Sequence, residues 1–217
     1  MKPLKFALVL FCFFVSLLNS VKAQKKVSEL TVVYDYTTIS NNSAKASKDV
    51  ATNTIYIKGN LVRSETSSAL FSSSTIYDSK TGQAVLLKEV SGQKLLIRLS
   101  QENWQDMNKA YDGTVFANTS ETKTIAGYKC IKAVGKTKNG LDIIAYYTTE
   151  IVPDNKDYNP RFKNLDGLPL QYELANGNFK IQYTVSKINL NPVPASKFDL
   201  PKSGYREMTY EESKKSK

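Results

Sequence analysis

The most constraining feature of the sequence is a strict alternation of apolar and polar side chains on both sides of Asn176-Gly177. Residues 168–174 alternate in this way before the dipeptide, and residues 179–186 do so after it. A period of two places successive side chains on opposite faces of a strand, and Asn-Gly is typical of a tight hairpin turn. This segment therefore predicts an antiparallel hairpin with one apolar face.

The same signals recur along the chain. Residues 28–38 have the pattern of a single strand. Three further pairs of strand-like runs have the pattern of hairpins: 54–58 with 61–66 around Gly59-Asn60, 84–89 with 94–99 around Ser91-Gly92, and 128–135 with 141–149. The run at residues 141–149 is apolar on both faces, which is typical of a central strand that is covered on both sides. Residues 24–27 are expected to be a loose lead-in, and residues 41–49 a polar loop.

Residues 101–111 depart from the strand pattern. Ser100 can cap a helix, and Trp104, Met107 and Tyr111 would lie on one side of it. Trp104 has two interpretations, because an aromatic ring there either stacks on a ligand or helps to pin the helix to a sheet.

Together these elements predict a mainly β protein of about ten antiparallel strands with one or two short helices. One layout is a strongly curved antiparallel sheet, a half-barrel with a helix on its concave side. The alternative is a β-sandwich. Residues 24–210 are expected to form a single domain, and residues 211–217 a disordered basic tail.

Residues 1–23 have the pattern of a signal peptide. Lys2 and Lys5 precede an apolar run over residues 6–18, and cleavage is expected before Gln24. That run is shorter than the about 20 residues that span a bilayer. We therefore expect an exported protein, periplasmic or outer-membrane-associated, with no transmembrane segment after cleavage. Loss of the three leader lysines changes the formal charge from +10 to 10 − 3 = +7.

Several chemistries are excluded by residues that the chain lacks. It has no histidine, which removes Ser-His-Asp and Cys-His catalysis and His-ligated zinc. No GxSxG, P-loop or GxGxxG motif occurs. Lysine and arginine are dispersed along the strands, so the basic charge indicates solvated faces and no nucleic-acid partner. We expect no catalytic residue, no cofactor and no metal.

Two residue sets could still suggest a site. Cys130 is the only cysteine outside the leader, and its apolar neighbours predict burial more than reactivity. Asp154, Asp157 and Asp166 could hold a hard cation, but their spacing matches no calcium loop, and loop aspartates are typical turn formers.

A half-barrel offers a place for a ligand. Apolar side chains on its concave face would bury an acyl chain or another apolar ligand, at about 0.8 kcal/mol per methylene. The alternative is that the same side chains fill the core of the protein. The candidate lining residues are Leu30, Val32, Tyr34, Trp104, Leu170, Tyr172, Ile181 and Tyr183.

Four motifs carry a resemblance to a known family. They are TKTIAGYKCIKA at residues 122–133, AYYTTEI at 145–151, GLPL at 167–170 and FDLPKSGY at 198–205. The chain resembles exported domain-of-unknown-function proteins of Gram-negative bacteria that are related to the GLPGLI family. Leu170 stands where GLPGLI members have glycine, which favours the broader family. That family is distantly similar to LolA/LolB-type lipoprotein carriers.

The resemblance implies a LolA-like half-barrel with a helical lid, located in the cell envelope, and it implies no catalytic residues. Our leading hypothesis is a non-enzymatic envelope protein that binds an acyl chain, a lipoprotein or another apolar ligand. Two alternatives stay open. One is a structural or interaction module that pairs with an envelope partner through an exposed sheet edge, and the other is an unrecognised enzyme.

Overall fold

The computed structural model describes residues 24–40, 51–69, 71–176 and 179–215. The expected signal peptide, the polar loop at 41–49 and Gly177 of the predicted turn lie outside these residues. In the part of the chain that is described, twelve strands form one sheet, and two more form a short parallel pair. No helix of that part is long and apolar enough to cross a membrane.

The strands in chain order are β1 (Lys25–Val27), β2 (Glu29–Ser40), β3 (Ala51–Lys58), β4 (Leu61–Ser67), β5 (Phe71–Asp78), β6 (Gln83–Val90), β7 (Gln93–Leu99), β8 (Val115–Ile125), β9 (Tyr128–Lys136), β10 (Asp142–Thr148), β11 (Ile151–Pro153), β12 (Leu168–Asn176), β13 (Phe179–Asn189) and β14 (Arg206–Met208). The α-helices are α1 (Gln101–Asn108) and α2 (Tyr210–Lys215). Single 3-10 turns lie at Lys109–Tyr111, Lys156–Tyr158, Pro160–Phe162 and Ala195–Phe198.

The large sheet is open and curved. Its order is β14-β7-β6-β5-β4-β3-β2-β13-β12-β10-β9-β8, antiparallel except for the parallel β14–β7 pair. Ile97 on β7, the strand next to the β14 edge, and Ile125 on β8, the opposite edge, belong to the same buried cluster. The sheet must therefore curl around that core. This confirms the predicted mainly β, strongly curved antiparallel sheet and not the sandwich alternative.

Two sequence expectations about the ends of the domain differ from the structure. Residues 24–27 were expected to be a loose lead-in, but β1 pairs in parallel with β11, and Val27 is buried in the core. The chain from Glu211 was expected to be disordered, but α2 covers residues up to Lys215, and the Tyr210 hydroxyl donates to Asp106 on α1. Local composition missed both, because each segment is ordered by a distant part of the chain.

Strand β10 is covered on one face only, contrary to the two-sided burial expected for it. It is third from the β8 edge. Ile143, Ala145 and Tyr147 are buried, whereas Ile144 and Tyr146 on the other face are partly exposed. Lys123 accounts for the aromatic residue at position 146, because its Nζ lies 3.6 Å from the centre of the Tyr146 ring. A cation over the ring face stabilises an aromatic residue near solvent.

Helix α1 begins at the predicted cap. The Ser100 hydroxyl accepts from the Asn103 backbone N–H, and the Asn103 side chain accepts from the Ser100 N–H, a reciprocal capping box. Trp104 and Tyr111 pack against the main core as expected. Met107 does not, since it is 37% exposed.

The C-terminal segment crosses the outer face of the sheet. We call residues 190–208 the strap. Phe198 and Tyr205 pack on a second buried cluster of Ile76, Leu87 and Leu96, and the Arg63 Nη1 donates to the Lys197 carbonyl at 2.8 Å. The strap then enters the sheet as β14 beside β7. It therefore protects that edge from pairing with another chain.

Two of the family-like motifs meet in the structure. Thr148 of β10 is in register with Leu168 of β12, next to a bulge between Tyr146 and Tyr147. A Cβ on Gly167 would lie 2.1 Å from the Thr148 carbonyl oxygen. Glycine is required at position 167 because two backbones approach each other too closely for any side chain.

We expect Gly167→Ala to lower the free energy of unfolding by about 3 kcal/mol, because the Thr148 carbonyl cannot move away without breaking the β10–β12 ladder. The measurement is urea denaturation followed by circular dichroism. Gly140→Ala is the control: a Cβ there meets nothing within 4 Å, and only its φ of +76° is unfavourable. That variant should cost about 1 kcal/mol, and equal losses in the two variants would contradict the steric explanation.

Cys130 is fully buried on β9, and burial raises the pKa of its thiol to about 11. At pH 8 about one thousandth of such a thiol is ionised, and the thiolate is the reactive form. We expect slow alkylation of the folded protein, with a rate that rises about tenfold per pH unit below the pKa. Peptide mapping of the alkylated protein distinguishes labelling of Cys130 from labelling of Cys12. Fast labelling of native protein at pH 8, at the rate seen in denaturant, would refute the buried assignment.

Candidate functional site

The concave face of the sheet is largely covered by two elements that follow strands in the chain. They are α1 and the irregular segment 154–165, which carries the 3-10 turns Lys156–Tyr158 and Pro160–Phe162. We call them together the plug. Between the plug and strands β3, β4, β5, β12 and β13 lies an inner cavity of about 240 Å³.

Two stacked pairs of aromatic rings form flat walls of the inner cavity. Tyr77 of β5 and Trp104 of α1 stack with their centroids 4.6 Å apart, and Tyr172 of β12 and Tyr183 of β13 stack at the same 4.6 Å. Each such pair contributes about 0.5–1.5 kcal/mol beyond its buried area. The first pair joins the plug to the sheet, and the second belongs to the sheet alone.

A polar wall faces these rings. Asn53 is 6% exposed, and its Nδ2 donates to Ser64 Oγ at 2.9 Å, to the Glu65 carbonyl at 3.1 Å and to Thr66 Oγ1 at 3.1 Å. Because the Ser64 and Thr66 hydroxyls accept these bonds, each keeps its own proton for a further acceptor. The wall therefore presents ordered hydroxyl groups.

The plug contributes polar groups with no partner in the described part of the protein. Tyr158 is 5% exposed, and its hydroxyl oxygen is buried without a hydrogen bond. The Nε of Arg161 is likewise buried and unpaired, while the guanidinium carbon lies 4.8 Å from the centre of the Tyr111 ring. Both residues line the inner cavity. An unpaired buried donor costs about 1–3 kcal/mol, so such atoms require an explanation.

The phenols of the site stay protonated near neutral pH. Burial raises the pKa of Tyr158, Tyr172 and Tyr183, and for the last two the nearby Arg161 guanidinium partly opposes that rise. A protonated phenol can donate a hydrogen bond, whereas a phenolate cannot.

An outer groove of about 570 Å³ lies on the other side of the Tyr77–Trp104 pair and also borders Asn108 and Pro160. It is polar and open, and in it Lys163 pairs with Asp157 at 2.7 Å. Asp166, another aspartate of this region, lies 3.9 Å from Lys156. Within the described ranges, no group of three or more His, Cys, Asp or Glu is arranged to hold a metal ion.

The residues expected to line a ligand site are divided by the structure. Trp104, Tyr172 and Tyr183 line the inner cavity. Ile181 is partly buried on β13 and does not line it. The other four candidates are fully buried in the main core: Leu30, Val32, Tyr34 and Leu170. They share that core with Tyr158, Phe162 and Leu165 of the plug.

Sequence reasoning missed Asn53, Tyr77, Tyr158 and Arg161. A signal existed for Asn53, because the alternation on β3 places it on the same face as Ile55 and Ile57. A polar residue in an apolar row is informative. Tyr158 and Arg161 lie in an irregular segment without periodicity, so nothing in the local pattern indicated which way they point.

Comparison with known proteins gives a fold but no family. No protein-family model and no curated protein sequence matches the chain. An uncharacterized conserved protein from Thermus thermophilus is similar in structure, with a TM-score of 0.50 and 10% identity over 87% of this chain and 94% of that one.

Two further solved structures show weaker likeness. PNGF-II matches with a TM-score of 0.49 and 14% identity over 85% of this chain, which spans only 32% of the PNGF-II chain. A putative outer membrane lipoprotein-sorting protein domain from Vibrio parahaemolyticus matches with a TM-score of 0.38 and 8% identity, over 78% of this chain and 89% of that one. The likeness to the Thermus protein therefore extends to the open β-sheet fold alone, and the resemblance to the GLPGLI-related family stays a prediction.

Proposed function

We propose that the protein is a non-enzymatic binding protein of the cell envelope that holds one small ligand in the inner cavity. The observation that carries this proposal is an aromatic-walled cavity whose lining includes two residues, Tyr158 and Arg161, each with a buried polar atom that has no partner among the described residues. Ligand sites typically combine apolar and aromatic walls with a few polar groups. Buried polar groups are normally paired, so these two atoms call for a partner.

The lack of imidazole, thiol and carboxylate groups among the described lining residues supports a binding role. The described residues that line the inner cavity include no His, Cys, Asp or Glu, so the Ser, Thr and Tyr hydroxyls there have no imidazole or carboxylate among these residues to activate them as nucleophiles. The envelope location rests on the signal-peptide pattern of residues 1–23.

A compact ligand suits the cavity better than a long acyl chain. Its volume of about 240 Å³ is below the about 300–1,000 Å³ of common ligand pockets. The apolar floor that an acyl chain would use is already covered, since Leu30, Val32 and Leu170 are fully buried with Phe162 of the plug. An acyl chain would therefore have to displace the segment 154–165.

The sheet-edge alternative has one observation in its favour and two against it. Among the described strands, β8 has a neighbour on one side only, and its Val115 is 73% exposed. However, β8 carries a register shift between Asn118 and Thr122 and the charged Glu121 and Lys123. Bulges and charges are features that prevent an edge from pairing, so we rank this function second.

The proposal predicts a bound small molecule that a cavity-filling substitution removes. Thr75 lines the inner cavity and forms no side-chain hydrogen bond with another described residue, so Thr75→Leu should fill the space with little loss of stability. Native mass spectrometry of protein purified from its own host should show a bound small molecule on the wild type and not on Thr75→Leu.

Thr54→Leu is the matched control. Thr54 lies on β3 between the cavity residues Asn53 and Ile55, so its side chain is on the opposite face of the sheet. This variant should keep the bound molecule. Repeated recovery of empty wild-type protein, or a phospholipid as the occupant, would contradict the proposal.

A further inference from the structure

The inner cavity has an uncompensated positive charge. Arg161 is the only ionisable cation among its described lining residues, and none of those residues carries a carboxylate. In the described part of the chain Arg161 forms no ion pair, and nearby Asp157 is held by Lys163 at 2.7 Å. A guanidinium that is partly removed from water without an anion is costly.

The protein holds Arg161 in place for a planar acceptor. Asn159 is 7% exposed, and its Oδ1 accepts from the Arg161 backbone N–H at 3.2 Å, which fixes the turn that carries the side chain. The face of the guanidinium is occupied by the Tyr111 ring, with 4.8 Å between the guanidinium carbon and the ring centre. Stacking uses the face and leaves the edge N–H donors for an oxyanion.

Further donors belong to residues that line the same cavity. Tyr158, on the 3-10 turn before Arg161, has a buried hydroxyl without a partner among the described residues. The Ser64 and Thr66 hydroxyls on the opposite wall are oriented by Asn53. A set of one guanidinium and several hydroxyl donors without an acidic acceptor suits carboxylate or phosphate oxygens.

We infer that the ligand is a compact molecule with an oxyanion, a carboxylate or a phosphate, that Arg161 binds, on an aromatic or apolar body that contacts the Trp104 and Tyr183 rings. This inference rests on the proposed function, because it names the ligand class of the same cavity. The flat ring walls favour a planar body, and the volume of about 240 Å³ restricts it to a small one.

Trp104 provides a direct readout, because it is the only tryptophan of the chain and lines the cavity. Four probes share one ring and differ in charge: benzoate, phenyl phosphate, benzamide and benzylamine. In fluorescence titrations of the full-length protein, we expect an anionic probe to bind at least about tenfold more tightly than benzamide, as for a charge-assisted hydrogen bond. Comparison of benzoate with phenyl phosphate distinguishes the two oxyanions.

Variants at position 161 test whether Arg161 is the group that binds the oxyanion. Arg161→Gln should reduce the preference for the anion over benzamide to within about twofold, and Arg161→Lys should keep part of it because the charge remains. Lys156→Gln removes a positive charge from the same segment outside the cavity and should leave the preference unchanged. Thermal melts establish that each variant is folded, and Tyr158→Phe, which removes one donor, provides a second test if Arg161→Gln is not.

The outcomes separate the inference from the proposed function. Equal binding of benzoate and benzamide, or a preference that survives Arg161→Gln, overturns the oxyanion assignment and leaves a ligand-binding cavity. Tightest binding of benzylamine also overturns it. If none of the probes changes Trp104 fluorescence at any attainable concentration, both the inference and the proposed function are rejected.

Discussion

The packing of the plug against the concave face is the interaction on which the rest of the structure depends. An open curved sheet exposes an apolar face that must be removed from water. Phe162 of the plug does this at the centre, where its ring meets Tyr172 edge-on at 4.8 Å and is itself almost completely buried. Without these side chains, Leu30, Val32 and Leu170 would line an open half-barrel.

The plug does not cover the concave face completely, and the inner cavity is the space left between the plug and the sheet. Helix α1 contacts the sheet through the Tyr77–Trp104 pair, whereas the segment 154–165 contacts it through Tyr158 and Phe162. Between these contacts the row of apolar residues on β3 is interrupted by Asn53, whose amide needs the hydroxyls of β4 as partners. These polar groups bond to one another within the sheet, so the row stays polar although Asn53 is only 6% exposed.

The two edges of the sheet are protected from pairing in different ways. At one end the strap crosses the outer face, packs Phe198 on its own small cluster and adds β14 to β7. At the other end β8 has no further neighbour among the described strands, but a register shift and charged residues interrupt it. Both arrangements limit association through the edges. The concave side and its cavity thus remain the best-defined place for recognition.

Much of the fold followed from local patterns, because a period of two, Gly-containing turns and the Ser100 cap depend only on neighbouring residues. These patterns predicted the hairpins, the helix and a mainly antiparallel β fold, with a curved sheet and a sandwich both open, and the absence of histidine limited the chemistry. The site did not follow. Whether Leu30 lies under the plug, or Trp104 beside a cavity, depends on where residues 154–165 pack, and that segment has no periodicity. By itself the sequence determined the strands and their apolar faces. Only the tertiary structure decided which part of those faces is covered, because the covering segment is distant in the chain and held by contacts that no local pattern encodes.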